Sequence, residues 1–398
     1  MTNVTVAAFR YAPAIGGAEN YTRRLLTEIG DRLDVNIVTL LTTQRTDWLR
    51  ALIDVERDQP EIYAVDGREV TALARWPAST RRALNLLVPG YHVPASPSPW
   101  LMGRLLSRPL AGVAASTQLL HNVFMGREAF SAGLLQAART AGKPFVFTPL
   151  RHQRPLGWNS PAFRRLYRFS DAVIALTRGE GEWLVANGAD RRRMHVVGLG
   201  PQNDPAASPQ SALEKIGGEA KIVLFLGQLH RYKGFRELLG AARLMEHRRD
   251  VRFVFAGPDV RGNADAFARA SGNVTWLGSV PREMRDSLLS ACTVLCVPSS
   301  RESFGSVVVE AWSCGKPVVG GPAAPTRELI DDGVDGFVVP QEPEAIADRL
   351  LRVLDNPALA ADMGCRGKEK VERRFSWAAI AQAHLDIYEH LTASPRRP

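Results

Sequence analysis

The chain has 398 residues, 45% of them hydrophobic, enough to fill ordinary cores and, by length, two or more domains. Its net charge is +9, and the excess is lopsided: residues 1–205 hold 25 Lys and Arg against 17 Asp and Glu, whereas residues 206–398 hold 25 against 24. Apolar runs all fall short of the ~18 residues of a membrane span, and MTNVTVAAF lacks the basic end, apolar centre and cleavage site of a signal peptide, so a cytosolic protein is expected.

Taken in chain order, short β-branched apolar runs alternate with segments of helix length. In the first half the strand candidates are TVAAF (5–9), VNIVTLL (35–41), PFVFT (144–148), AVIAL (172–176) and MHVVG (194–198). After the first of these, Gly16-Gly17 lead into a helix beginning near Ala18. Two glycines let backbone approach an anion, and a helix start supplies unpaired N–H donors; for a glycine pair taken alone, a plain tight turn is the better reading. Residues 42–110 carry many prolines, as in WPAST and VPGYHVPASPSPW, and irregular loops are expected there. PQNDPAASPQSALEK (201–215) reads as a linker.

In the second half the strand candidates are KIVLFLG (221–227), VRFVFAG (251–257), VTWLG (274–278), TVLCVP (293–298), KPVVG (316–320) and GFVVP (336–340). Runs of this kind suit strands buried on both faces, and repeated β-α units imply doubly wound parallel sheets. From 343 the sequence turns helical, and Arg396, Arg397 and Pro398 are expected to fray. Cys292, Cys296, Cys314 and Cys365 show no zinc-ligand spacing, so core thiols in a reducing compartment are expected and no metal is assigned.

Two further motifs follow strands. In FLGQLHRYKGFRELL, Gln228, His230, Arg231 and Lys233 lie between a strand end and a helix start, where cations make a diphosphate pocket; a solvent-exposed basic loop is the other reading. In RESFGSVVVEAWSCGKPVV, a turn at Ser303-Phe304-Gly305 precedes a helix from Ser306. Eight residues of helix would separate Glu302 from Glu310 by ~12 Å, beyond the ~5–9.5 Å of a glycosidase carboxylate pair. Two carboxylates so spaced can each accept hydrogen bonds from a polyol, Glu302 from a sugar and Glu310 from a ribose, with the amides of Gly305, Ser306 and Val307 facing phosphates between them. Read singly, each Glu is also explained as a helix-capping or surface acid. No GxGxxG fingerprint favours a dinucleotide enzyme.

Together GGAENY (16–21), DAVIALTRGEGEWLVANGADRRRMHVVGLG (171–200), GQLHRYKG (227–234), ESFGSVVVEAWSCGKPVVG (302–320) and RELIDDGVDGFVV (327–339) resemble the retaining, family-4 type glycosyltransferases of GT-B architecture. The resemblance implies an α/β fold of two Rossmann-like doubly wound parallel-sheet domains facing across a cleft. The expected division is an acceptor-binding domain over 1–204, a sugar-nucleotide domain over 205–375, and a C-terminal helix over 376–398 crossing back to the first. Carried over by position, Glu302 contacts the donor sugar, Glu310 the ribose, Lys233 the leaving diphosphate, and Gly16-Gly17 the phosphates or acceptor; Phe304 belongs to the same turn. Gln228 replaces a basic residue of the family pattern, leaving Arg231 to supply the second charge. His121, in LLHNVFMGRE, is expected after a strand and is assigned to catalysis, with Val123 where the family often has a second His; His152, Arg127 and Glu128 are further candidates.

The function implied is transfer of a sugar from a UDP-, GDP- or ADP-sugar to a glycan, lipid-linked or small-molecule hydroxyl, without a metal or other cofactor, in cell-envelope polysaccharide or glycolipid synthesis. The basic first half fits an anionic acceptor or the headgroups of the inner membrane face, and a solvated Arg-rich surface explains it equally well; no RNA motif or zinc-finger spacing supports nucleic acid. A GT-B epimerase or hydrolase, or a non-catalytic GT-B partner subunit, remains open as the alternative.

Overall fold

The computed structural model describes residues 2–14, 16–151, 157–218, 220–260 and 262–393. The chain divides into two compact units, Met1–Gly198 with Ile380–Pro398, and Leu199–Ala379. His152 and the terminal Arg396, Arg397 and Pro398 lie outside the described residues.

The first unit is built on strands β1 (Asn3–Arg10), β2 (Asp34–Leu41), β3 (Glu61–Val65), β4 (Arg68–Ala72), β5 (Leu119–Val123), β6 (Phe145–Thr148), β7 (Ala172–Ala175) and β8 (Met194–Val196). Their order in the sheet is β3-β4-β2-β1-β5-β6-β7-β8, parallel except for the β3–β4 hairpin. Strand β1 turns out to β2 on one side and is flanked by β5 on the other, so the winding reverses between β1 and β5. The second unit carries β9 (Lys221–Leu226), β10 (Val251–Ala256), β11 (Val274–Trp276), β12 (Val294–Val297), β13 (Val318–Gly320) and β14 (Gly336–Val338), ordered β11-β10-β9-β12-β13-β14. Its winding reverses between β9 and β12, which pair in parallel. Central strands such as β9 (iBBBBB) and β12 (BBBB) are buried almost end to end, as expected where helices cover both faces.

Three expectations change. Residues 42–110 are mostly regular: helices Trp48–Ile53, Ala78–Tyr91 and Ser98–Ser107 and the β3–β4 hairpin occupy them. The prolines sit where a helix tolerates them, Pro99 in the first turn of its helix and Pro89 in the last turn of Ala78–Tyr91. The segment 201–215 is tied down and is no free linker. Asn203 is buried, Trp377 Nε1 donates to Pro201 O at 2.8 Å, and a helix runs over Gln210–Ile216. These bonds draw residues 199–204 into the second unit, placing the division at Gly198–Leu199. Among the cysteines, Cys292 and Cys296 are core thiols, but Cys314 is half-buried and Cys365 exposed.

His121 lies within β5, level with Val6 of β1 and Val146 of β6, where it was expected to follow the strand. It is fully buried, with Nδ1 2.7 Å from the Tyr388 hydroxyl and Nε2 2.8 Å from Thr148 Oγ1. The C-terminal helix Trp377–Ala393 supplies Tyr388 and also His384, whose Nε2 is 2.9 Å from the Tyr21 hydroxyl and whose Nδ1 is 2.8 Å from Ile380 O. With both ring nitrogens taken and no exposed surface, His121 is a structural group that docks this helix onto the first unit, and the catalytic assignment is withdrawn.

Burial holds both imidazoles neutral, pushing His384 down to about 4 and His121 well below the usual histidine range. Unfolding frees them to protonate, so the unfolded state binds more protons between pH ~6.5 and ~4, and stability falls as pH drops through that window. His384 alone contributes about 3 kcal/mol of that loss. Urea midpoints measured from pH 7.5 to 4.5 should fall, and the slope should flatten in His384→Gln; an unchanged slope in the variant would place the proton uptake elsewhere.

Candidate active site

Ligands of open α/β sheets bind outside the carboxyl ends of the strands where the winding reverses. In the second unit those ends belong to β9 and β12. Lys233 follows β9 on the short 3-10 turn Arg231–Lys233, and Glu302 follows β12. Gly234, next after Lys233, sits at φ +75 against the backbone of Pro298, the residue after β12, which leaves no room for a side chain. This close approach brings the two loops together. Lys233 Nζ donates to Glu302 Oε1 at 2.7 Å, and the side chains retain 19% and 12% exposure. The two groups assigned separately to diphosphate and sugar thus form one ion pair.

Gly305, at φ +102, turns the chain into helix Ser306–Ser313. The left-handed conformation suits glycine, and it points the first-turn amides of Ser306 and Val307 out of the helix start without an intrahelical acceptor. Phe304 is buried and meets Phe375 edge-on at 5.7 Å between ring centres, so its side chain belongs to the core. Gln228 and Arg231 are exposed; among the described residues Arg231 has no carboxylate partner within ion-pair distance. Its neighbour His230 stacks on Tyr232 at 5.0 Å.

Glu310 departs from expectation. It is buried, one carboxylate oxygen is taken by Arg285 from helix Arg282–Ala291, and the backbone N–H of Gln202 donates to it as well. Burial raises its pKa, opposed chiefly by the Arg285 charge. Arg285 also reaches Asp286 at 3.2 Å, and Asp286 accepts from the Asp204 amide at 3.1 Å. A ribose hydroxyl can share this carboxylate only if Arg285, itself 26% exposed, releases an oxygen. Sequence reasoning missed Arg285, since nothing in REMRDSLL signals a partner 25 positions away. Further along, Lys370 is buried between Asp331, Asp335 and the face of Trp312, and fixes the end of the RELIDDGVDGFVV segment.

In the first unit Gly16 is extended at the start of helix Gly17–Ile29, and Gly17 faces open space. Gly16 lies so close to the Glu19 carboxylate that a Cβ would collide with it. Glu19 in turn pairs with Arg10 at the end of β1, and the Arg10 guanidinium stacks 4.9 Å from the Trp48 ring. Gly16 therefore makes room for a buried ion pair. Arg127 and Glu128 both engage Tyr91: its hydroxyl donates to Glu128 Oε2 at 2.5 Å, and the Arg127 guanidinium lies 5.3 Å from its ring centre.

The model of the glycosyl transferase 4-like domain matches residues 16–200, and that of glycosyl transferases group 1 matches 209–370. The chain is 30% identical to the alpha-maltose-1-phosphate synthase of Mycolicibacterium smegmatis over 386 residues, covering 84% of this chain and 97% of that protein. It is 35% identical over 250 residues to a D-inositol 3-phosphate glycosyltransferase of Xylanimonas cellulosilytica, an alignment spanning 58% of either chain. In structure it is similar to HepE of Anabaena, solved with UDP and glucose, at a TM-score of 0.70 and 19% identity over 98% of this chain and all of that one. At that identity the likeness establishes the fold, GT-B.

Breaking a buried ion pair on one side strands the other charge and costs about 3 kcal/mol. Arg285→Ala should lower the denaturation midpoint by that order, and Arg285→Ala with Glu310→Gln should recover part of the loss. Additive losses in the double variant would show that the two side chains are not coupled.

Proposed function

The chain belongs to the family of group 1, family-4-like glycosyl transferases, and on that premise we propose that it is a retaining enzyme moving a sugar from a nucleotide-diphosphate sugar to an acceptor hydroxyl. The observation that carries this reading is the Lys233–Glu302 pair at the winding reversal of the second sheet. A lysine ammonium has three donors. Glu302 takes one, and the others can serve diphosphate oxygens. Arg231, exposed and unopposed by a carboxylate, stands two residues away and can supply the charge that Gln228 lacks. The first-turn amides after Gly305 add fixed donors. Glu302 keeps a second oxygen for a sugar hydroxyl.

In the reaction the bond from the sugar's anomeric carbon to the diphosphate breaks while the acceptor oxygen attacks on the same face. The departing phosphate oxygen takes the acceptor proton, so no carboxylate need act as nucleophile. Donors fixed where leaving-group charge grows lower the barrier. Lys233 and Arg231 fill that role, and we assign no metal to it. The nucleotide is UDP, GDP or ADP, and its ribose is assigned to Glu310 with Arg285 turned aside.

A place in glycolipid or polysaccharide synthesis, at the inner membrane face, is supported by the first unit. Residues 70–127 contain six arginines and neither Asp nor Glu. Helix Ala78–Tyr91 buries only Leu84, while Leu86 is 83% and Val93 57% exposed. Arg75 and Arg81 are answered by Asp54 and Asp58 from outside this stretch, but an apolar edge set among an excess of arginines is the pattern that binds anionic headgroups. Among the described residues no helix is long and apolar enough to cross a membrane.

With donor and acceptor identified by thermal-shift screening of UDP-, GDP- and ADP-sugars, transfer should persist in EDTA with retention at the anomeric carbon. Lys233→Ala should lower kcat/KM by ~10²–10³ and Glu302→Gln by at least ~10-fold. Full activity in both variants would remove the site, and activity lost in EDTA but restored by Mn²⁺ would reinstate a metal. Co-sedimentation with anionic vesicles should be strong at low salt, weaken as salt is raised, and fall in Leu86→Asp; no binding at low salt would end the membrane reading.

A further inference from the structure

An ion pair between two loops is only as well placed as the loops themselves. Lys233 ends the turn after β9, and Glu302 lies in the segment after β12, so the pair's position depends on what sets one loop against the other. Within its own turn, the Lys233 N–H bonds to His230 O at 2.9 Å. Between the loops, the carbonyl of Tyr232, which shares a peptide unit with the Lys233 nitrogen, accepts the backbone N–H of Ser300 at 2.8 Å. The hydroxyls of Ser299 and Ser300 stand 3.2 and 3.3 Å from the same oxygen.

A third segment completes the arrangement. After β14 the chain passes Val339 and Pro340 to the half-buried Gln341, just before helix Pro343–Leu354. Gln341 Nε2 donates to Tyr232 O at 3.0 Å and to Pro298 O at 2.7 Å. A primary amide carries two N–H groups, and here one goes to each loop. Both acceptors are carbonyls, which fixes the amide's orientation, since its own oxygen would repel either one. Pro298 is buried, and its carbonyl stands where a side chain at Gly234 would sit; Gly321, after β13, packs as closely on Pro298 and Ser299. Two carbonyl oxygens that meet at one nitrogen would repel each other without it. The amide of Gln341 is thus the donor that lets the loops after β9 and β12 approach in this register.

We propose that Gln341 is a positioning residue for the transfer reaction: its amide clamps the two loops and so holds Lys233 and Glu302 where the diphosphate and the sugar need them. Both amide hydrogens are spent on backbone, so Gln341 acts through the pair and not on the substrate. The proposal rests on the reading of Lys233 and Glu302 as the reactive pair and adds the group that sets them. Charge on the departing phosphate grows as the bond breaks, so a lysine free to wander loses more attraction in the transition state than in the ground state. A misplacement of about 1 Å costs about 10²-fold. The effect therefore falls on kcat more than on binding.

The test uses the full chain with the sugar nucleotide that the thermal-shift screen selects, and measures release of its nucleoside diphosphate. Gln341→Leu keeps the approximate volume and removes both donors. Its kcat should fall at least ~10-fold, while calorimetry with the free nucleoside diphosphate shows Kd changed by less than ~3-fold and the melting temperature drops by only a few degrees. In Gln341→Glu the ionised carboxylate meets two carbonyls with no hydrogen to give, whereas its protonated form donates one. Relative to the unsubstituted chain, kcat of Gln341→Glu should therefore recover as pH is lowered from about 8 to about 5.5, and that of Gln341→Leu should not. This pH profile also carries the test if Gln341→Leu fails to fold. In a Lys233→Ala background Gln341→Leu should cost less than ~3-fold further, because the pair it sets is already broken. Unchanged kcat in Gln341→Leu, a full ~10-fold further loss on top of Lys233→Ala, or no recovery of Gln341→Glu at low pH overturns the proposal. Lys233→Ala alone is the reference. If it lowers kcat and Gln341→Leu does not, the glycosyltransferase site stands and the positioning role falls; if it leaves kcat unchanged, the site falls and the positioning role falls with it.

Discussion

A parallel sheet wound outward in both directions must part its covering helices at one place, and the loops after its two central strands are left facing that gap. The rest of the structure follows from this constraint, met once in each unit. In the second it sets Lys233 after β9 beside Glu302 after β12. In the first it sets Arg10 and Gly16 after β1 near the loop carrying Arg127 after β5.

The two reversals differ in how their charges are balanced. In the second unit each acid has a cation in contact, Glu302 with Lys233 and Glu310 with Arg285. Such pairing lets a carboxylate remain in a partly dry place without ligand. It also means that a ligand of the proposed kind would enter by exchange, a phosphate sharing the lysine and a hydroxyl the carboxylate. Exchange discriminates, because a molecule offering only one half of the complement leaves the other charge unanswered. In the first unit the buried ion pair Arg10–Glu19 stands apart from two arginines on the wall of an open cavity, Arg50 and Arg127, that have no carboxylate within ion-pair distance among the described residues.

The fold, and the strand ends and turns that carry the second unit's candidate site, were largely legible in sequence, because they rest on local signals. Buried strands write themselves as short β-branched runs, and KIVLFLG and TVLCVP lie where β9 and β12 are found. Glycines before helix starts, Gly234 and Gly305, marked the turns that carry Lys233 and follow Glu302. What stayed hidden depends on contacts distant in sequence. Arg285 meets Glu310 only because two helices pack side by side, and His121 is a core residue only because Tyr388 arrives from the far end of the chain. Prolines misled in residues 42–110, since they can begin or end a helix as readily as forbid one.

Gly16 shows how one motif can carry a second, structural explanation. A glycine pair at a helix start invites a phosphate, and local geometry alone supports that. Yet the space beside Gly16 is filled by Glu19, whose carboxylate is paired with Arg10. The pair Glu19–Arg10 instead holds Trp48 through the stacked guanidinium, and Trp48 forms a wall of the cavity whose other walls bear Arg81 and Arg127. The glycine thus acts at one remove: it admits the acid, the acid fixes the arginine, and the arginine braces the indole. Removing that small residue would disturb the cavity without touching any ligand, which is why its chemistry cannot be read from the helix start alone.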